Sequence, residues 1–441
     1  MEYHPINLFY PLFSQGFILE QVFPIYIFRD CHNTIFISRE LAITSMVMVR
    51  EIFPRSLYNI MVNMWAAIMP DNQDNFQSLP VQPPFDIELL QREVGQRFPF
   101  YDMRSNVNAV AFFCRIDEET FEEKFESLRL SLLEKGYIPM IRLEHGEHII
   151  YVVQKPPRKK TRSKWINVVL LAATVCTTTL VWSLQWVSIR GVTWETIFSP
   201  GFLWEGFIFF SVPLLLILGV HEMGHYLVSK RHHVDASLPY FIPFPPPLGT
   251  FGAIISTREP IPNRKALLDI GVSGPLCGFL VAIPVTIIGF FLMQQNPIIV
   301  TSTAGQTVLN NPLLLQWIGG FFTIPVNAIT HPTLFAGWVG IFVTAVNLLP
   351  AGQLDGGHVA RAILKDKAKY VSWVVIIALI GLSFYYNYTG WIFFAIIILL
   401  LIGTQHQPPL DEITPLDTKR KLLGLLIVII FIISFAPVPF S

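Results

Sequence analysis

Residues 206–229 read GFIFFSVPLLLILGVHEMGHYLVS, and the fold class turns on how that stretch is divided. From Gly206 to Val220 every residue is apolar except Ser211, as expected of a helix passing through a bilayer core about 30 Å thick. His221, Glu222 and His225 follow without a break. Ionisable groups at membrane depth are costly and mark function more often than packing. Residues i and i+4 of a helix share a face, so both imidazoles can reach one metal ion with Glu222 standing beside it. A histidine pair capping the span at the interface is the plainer alternative.

The composition agrees with a membrane chain. Of 441 residues, 14% are charged and 52% hydrophobic, and the mean hydropathy is +0.50; soluble chains are about a quarter charged. Lys+Arg and Asp+Glu number 31 each, so no overall basic field points to a nucleic-acid partner. Beyond Trp165 the apolar residues fall in runs of about 15 to 25, the length of a span. An ordinary soluble enzyme is excluded. Cys31, Cys114, Cys176 and Cys277 are far apart and form no C-x-x-C, which reads as four small thiols rather than a disulfide framework or a cysteine zinc site.

The expected fold is a polytopic α-helical membrane protein of six to eight spans, with a zinc site between two of them and a small N-terminal soluble α+β domain. Residues 1–70 form a tail to which we assign no role. Their composition, and the polar run after them, make Met69 a second candidate start, which the intact mass of the native chain decides. Residues 71–155 read as the soluble domain. Residues 86–98 have helical spacing, with Ile87, Leu89, Leu90 and Val94 on one side. Residues 108–116 are β-prone, and 117–135 form an amphipathic helix with a Phe121, Phe125, Leu128, Leu132 stripe stopped by Gly136. Residues 137–143 and 148–153 make a hairpin around Glu144-His145-Gly146-Glu147, whose histidine and glutamates read as a solvated turn. Residues 156–164 are a basic linker abutting the membrane domain, 165–441, and place the soluble domain on the cytosolic side or its equivalent.

The spans are expected at 166–187, 206–229, 267–293, 334–349, 371–386, 391–402 and 422–436, with 310–330 as an interfacial half-span broken by Gly319-Gly320 and Pro325. The basic clusters after or before these runs fall on one side.

A catalytic zinc takes three protein ligands and keeps an open position. The third should come from another span. Asn347-Leu348-Leu349-Pro350-Ala351-Gly352-Gln353-Leu354-Asp355-Gly356-Gly357-His358 stands at the inner end of the 334–349 run. Pro350 and the glycines break the helix there, which membrane proteins tolerate where backbone is buried in protein or lines a wet cavity. Asp355 is the acid of that stretch.

At this point the residues resemble a known family. Site-2 proteases, zinc metalloproteases that cut their substrates within the membrane, carry H-E-x-x-H on one span and N-x-x-P-x-x-x-L-D-G on a later one. Both are complete here: His221, Glu222 and His225, then Asn347, Pro350, Leu354, Asp355 and Gly356. The resemblance covers the chain from about Trp165 onward and implies zinc ligation by His221, His225 and Asp355, one zinc per chain, and Glu222 as the general base. The stretches 249–255, 260–268 and 271–275 and Ala336-Gly337-Trp338 look like the branch of archaea, cyanobacteria and chloroplasts that includes the plant ethylene-dependent gravitropism-deficient and yellow-green proteins. That branch also carries a soluble domain ahead of its first span. The implied partners are the lipid bilayer and membrane-protein substrates with a transmembrane segment. A prokaryotic plasma membrane is preferred to a chloroplast membrane, because no Ser-rich, acid-poor leader is visible.

Other residues carry two readings each. Asn347 suits a substrate carbonyl or oxyanion and equally a helix–helix hydrogen bond. Residues 240–252, with prolines at 243, 245, 246 and 247, cannot span and are expected to enter the membrane partway as an irregular loop or hairpin, either pairing with an unwound substrate or covering the core. Gly271, Gly274 and Gly278 suit close helix packing. His331 and His358 suit capping or interfacial roles, and His232 and His233 are expected to face water. The rival functions are a divalent-cation transporter and a scaffold that binds membrane partners without cutting. A transporter should scatter acids and histidines over several spans and often shows an internal repeat; here the polar groups collect at one depth.

Overall fold

The computed structural model describes residues 85–440 apart from 157–162, 191–193, 246–247, 300–308, 326 and 405. The tail 1–70, the proposed start at Met69 and most of the basic linker lie outside the described residues.

The N-terminal region is a four-stranded antiparallel sheet covered by two helices. Asp86 starts α1 (Ile87–Gly95) by accepting the Leu89 amide at 3.0 Å. Strands β1 (Phe100–Ser105), β2 (Ala109–Cys114), β3 (Tyr137–Glu144) and β4 (Glu147–Gln154) lie in the order β1-β2-β4-β3. His145 and Gly146 turn the β3–β4 hairpin with φ of 51° and 84°, the left-handed pair that matches strand twist. Asp117 does not open α2 (Phe121–Glu134) as the acidic run suggested. It folds a preceding turn by accepting the Thr120 hydroxyl at 3.0 Å, and the helix begins four residues later. The expected stripe of Phe121, Phe125, Leu128 and Leu132 is buried and packs with Leu90, Val94, Phe112, Ile141 and Ile150; full burial of each such side chain stabilises by about 1.5–3 kcal/mol.

Four helical stretches are long and apolar enough to cross a bilayer: Trp165–Ser183, Pro200–Arg231, Arg264–Gln295 and Asp355–Tyr386. Pro332–Asn347 and Gly390–Leu400 are shorter apolar helices. The first stretch lies within α3 (Lys164–Arg190). The second contains a π-helical turn, Phe207–Ser211, before α4 (Val212–Arg231). Pro213 causes a fault there: it has no N–H for the Phe209 carbonyl, and the Thr333 hydroxyl donates to that oxygen instead at 2.9 Å. Then follow α5 (Arg264–Gln295), α6 (Pro332–Asn347), α7 (Asp355–Leu364), α8 (Ala368–Tyr386), α9 (Gly390–Ile397) and α10 (Thr418–Ser434). The expected half-span at 310–330 shrinks to one short helix, Leu313–Gly319, ended by the paired glycines.

Residues 240–252 form the hairpin anticipated, with β5 (Tyr240–Pro243) antiparallel to β6 (Thr250–Ile254). It inserts among the helices. Phe241 joins the cluster of Trp182, Phe210 and Leu214, and the Thr177 hydroxyl donates to the Gly249 carbonyl at 2.7 Å. Thr177 lies about 18 Å along α3 from Trp165 at 1.5 Å per residue, so Gly249, just ahead of β6, lies level with the middle of that helix.

Glu93 staples α1 to α2. The Lys135 ammonium, the Ser131 hydroxyl and the Arg97 guanidinium donate to it, and the Lys135 bond foremost, against the opposing effect of burial, holds its carboxyl down to about 2 from 4.5. A depressed carboxyl stabilises the fold above its unfolded value, and that stabilisation fades as pH falls from 4.5 toward 2. Amide exchange across α1 and α2 should therefore quicken as pH is lowered from 5 to 3, after correction for intrinsic rates, and Glu93→Gln should flatten the pH dependence.

Candidate metal centre

The two halves of the centre arrive on α4 and α7. His221, Glu222 and His225 occupy the middle of α4 and are buried, at 4%, 9% and 6% exposure. Their neighbour is α5, whose glycines make the room. An alanine Cβ at 274 would stand 2.0 Å from His225 Nε2, and one at 278 would stand 3.1 Å from His221. These two glycines thus do more than admit a neighbouring backbone: they hold open the volumes of the two imidazoles. Gly271 does the same for His358, whose Cβ would lie 2.7 Å from a Cβ there.

Asp355 is delivered by the break between α6 and α7. Residues 348–354 turn the chain back, and α7 starts at Asp355 itself. Gly356 and Gly357 must be glycine because the turn folds over them: a Cβ on either would lie 2.1 Å from a carbonyl oxygen, of Leu348 or Gly352. That close fold points the carboxylate at the histidines.

His221 Nε2 lies 3.2 Å from Asp355 Oδ2 and 3.2 Å from His225 Nε2, and His225 Nε2 lies 3.3 Å from Asp355 Oδ1. Among the described residues, this is the set of three His, Cys, Asp or Glu side chains whose ligating atoms all fall within 4.8 Å of one another. His225 Nδ1 is 2.8 Å from the Ile270 carbonyl. A carbonyl only accepts, so Nδ1 carries the proton and Nε2 presents its lone pair to the cluster. A lone pair aimed at a second imidazole nitrogen and a carboxylate is a donor set without a cation, and two imidazoles with one carboxylate fit zinc. Glu222, next to His221, lies beside the Ile255 backbone at the end of β6.

The remaining candidates divide. Asn347 is the half-buried last residue of α6, just before the break. His331 caps α6, its Nδ1 accepting the Thr333 amide at 3.2 Å. His358 Nδ1 lies 3.0 Å from the Leu354 carbonyl, and its ring packs edge to face on His406 at 4.3 Å. His233 is exposed as expected. His232 is a correction: it bonds Asp269 at 2.9 Å, and Asp269 also takes Arg420, because the ends of α4, α5 and α10 converge there. Two contributors carried no sequence signal. The Ile270 carbonyl is backbone, and His406 stands in a loop far along the chain.

Fold and centre together describe a helical chain with stretches long and apolar enough to cross a membrane and a His–His–Asp cluster that could hold a metal ion. Residues 209–386 match peptidase family M50. It is 30% identical over 229 residues to a protein named probable zinc metalloprotease EGY2, chloroplastic, of Arabidopsis thaliana, a match covering 51% of this chain and 41% of that one. It is 29% identical to probable zinc metalloprotease EGY1, chloroplastic, of the same plant, over 53% of this chain and 44% of the relative. A third relative, probable zinc metalloprotease EGY3, chloroplastic, of Oryza sativa subsp. indica, is 28% identical over 54% and 44% of the two chains. The matches span less than half the length of these relatives. No solved structure matches the chain. The relatives' names place them in chloroplasts, and the expected preference for a prokaryotic membrane gains no support from them.

Gly274→Ala should expel metal without unfolding the bundle. The expected result is metal affinity at least roughly tenfold weaker, the size of effect seen when a ligand's surroundings are disturbed, with helix content unchanged. Gly381→Ala, where a Cβ meets nothing within 4 Å, should bind metal as the parent does.

Proposed function

We propose that this protein is a zinc-dependent intramembrane protease that hydrolyses peptide bonds in or near transmembrane segments of membrane-protein substrates. The observation that carries this reading is the meeting of His221, His225 and Asp355, from two helices, around one point with Glu222 alongside. The match to family M50 and the zinc metalloprotease relatives support it.

His221 Nε2, His225 Nε2 and an Asp355 carboxylate oxygen would hold the zinc. Bound there, zinc supplies Lewis acidity, lowering the pKa of a water molecule and polarising the scissile carbonyl. Glu222 takes the proton from the attacking water and delivers it to the leaving nitrogen. The Ile270 carbonyl fixes the tautomer and ring angle of His225. Asn347 ends α6 just before the break that leads to Asp355, and its amide suits the carbonyl oxygen of a substrate as charge builds on it. The β6 strand ends beside Glu222, so an extended substrate paired to that hairpin would bring its backbone to the centre with the helical shielding removed.

The chain makes seven crossings in this reading, within the six to eight expected: the four long stretches, the shorter α6 and α9, and α10. The ends of α4, α5 and α10 share one side, as the His232–Asp269–Arg420 cluster requires. Lys230, Arg231, Lys419, Arg420 and Lys421 stand there, which makes it the inner side. The N-terminal α+β region is on the same side, since Lys265 at the start of α5 pairs with Glu122 of α2 at 2.6 Å. It is a cytosolic or equivalent soluble domain of a prokaryotic or chloroplast membrane protein.

Purified parent protein should carry about one zinc per chain. Glu222→Gln should retain that zinc and lose cleavage of a transmembrane substrate by roughly 10²–10⁴-fold, the usual worth of a general base. Asp355→Asn should lose most of the metal. Zinc kept in Asp355→Asn breaks the ligand set, and unchanged activity in Glu222→Gln leaves a metal-holding scaffold as the better reading.

A further inference from the structure

The segment between α9 and α10 fastens the N-terminal region to the helix that carries Asp355. Leu410 leaves the membrane part altogether and enters the core under β3, at 2% exposure. There the segment behaves as an added strand. The Ile141 amide donates to the Leu410 carbonyl at 2.9 Å, and Arg142 Nη1 to the same oxygen at 3.0 Å. On its other side the Leu410 amide donates to Ile261 and the Asp411 amide to Pro262, both at 2.9 Å, just ahead of α5. β3 is an edge strand of its sheet, and an edge strand offers unpaired backbone groups to whatever lies beside it.

The same segment grips α7 at both ends. Toward the metal, the His406 ring packs on His358, one turn beyond Asp355. Gly403 lies against the break that precedes Asp355: a Cβ at Gly352, which has a φ of 50°, would stand 1.9 Å from the Gly403 carbonyl oxygen. At the far end, Arg361 of α7 is 7% exposed and binds Glu412 of the segment together with Asp366. Asp366 is 84% exposed, and exposed pairs contribute little. A buried guanidinium depends most on its less exposed partner, and Glu412 at 19% is that partner, so Glu412 is the anchor. Glu412 is shared: Arg142 Nε on β3 lies 3.8 Å from its other oxygen.

We propose that Glu412 is a positioning residue for the metal centre, bridging Arg361 on α7 and Arg142 on β3 so that the seat of Asp355 depends on docking of the N-terminal region. The inference rests on the metal-centre reading above. It gives the N-terminal region a task, control of the centre from the inner face, carried by one carboxylate. α7 has only ten residues, so a shift at Arg361 is not absorbed within the helix before it reaches Asp355.

The test is the rate at which the full chain in detergent surrenders zinc to a chromogenic chelator. Glu412→Gln and Arg142→Gln should each release zinc roughly 3- to 30-fold faster than the parent, the span reported for couplings carried through packed networks. The double variant should fall short of the product of the two single effects, because the contact between Arg142 and Glu412 can be lost only once. Arg142→Lys, which keeps the charge, should recover most of the parent rate, which a general loss of packing would not allow. Arg104→Gln, on exposed β1, should behave as the parent. Parent-like release from Arg142→Gln overturns the proposal, as does a double variant whose effects add. If Arg142→Gln does not fold, Glu412→Asp decides: faster release is expected, and the parent rate overturns the proposal. A parent chain that takes up no zinc sinks the metal-centre reading and this inference with it, an outcome visible before any variant is compared.

Discussion

The imidazole of His225 fills the volume that any side chain at position 274 would need, and the architecture around the centre answers to that exclusion. Polar groups buried among apolar helices cost several kcal/mol when left unpaired, so a histidine pair inside a bundle has to be met by partners within hydrogen-bond reach. α5 meets it by removing its own side chains. With glycine at 274 and 278 the α5 backbone comes close enough for the Ile270 carbonyl to accept a hydrogen bond from His225 Nδ1–H. Small residues permit such approach where bulkier ones would hold helix axes 8–10 Å apart. Fixing His225 in one tautomer aims its lone pair, and only then does the position of Asp355 acquire a meaning.

The other devices are interruptions of helix, each with its freed backbone accounted for. Pro213 leaves the Phe209 carbonyl without its usual donor, and the Thr333 hydroxyl supplies one, tying the π-helical turn ahead of α4 to the start of α6. The break at 348–354 turns α6 into α7 so tightly that Gly356 and Gly357 lie on carbonyl oxygens. Its product is a carboxylate at the first position of a helix, where the dipole of α7 favours negative charge. Arg264 closes the far end of that helix, its Nε donating to the Ala362 carbonyl at 2.9 Å.

The sequence made the centre more legible than the fold around it. His221, Glu222 and His225 could be read because their spacing coincides with the turn of a helix, and Asp355 because a proline and three glycines in an apolar context are hard to explain as packing. The α2 stripe and the β3–β4 turn were legible for the same reason, since each is a local pattern. β1 was not, because FYDMRS at an edge lacks clean alternation of apolar and polar residues. His232 was placed in water on the strength of its neighbours Lys230 and Arg231. Its partner Asp269 is distant in sequence, and nothing local announces it. Leu410 was equally hidden: an apolar residue in the segment between α9 and α10, whose core belongs to the other end of the chain.

His221 and Asp355 are separated by 134 positions, and that separation has a consequence for how the protein is made. Synthesis proceeds at about 5–20 residues per second, so on the order of ten seconds pass between the two ligands leaving the ribosome. During that interval α4 can enter the bilayer with its histidines and glutamate but without a complete ligand set. The Leu410 strand is made later still. A nascent chain therefore holds the two halves of the candidate centre apart until Asp355 has been made.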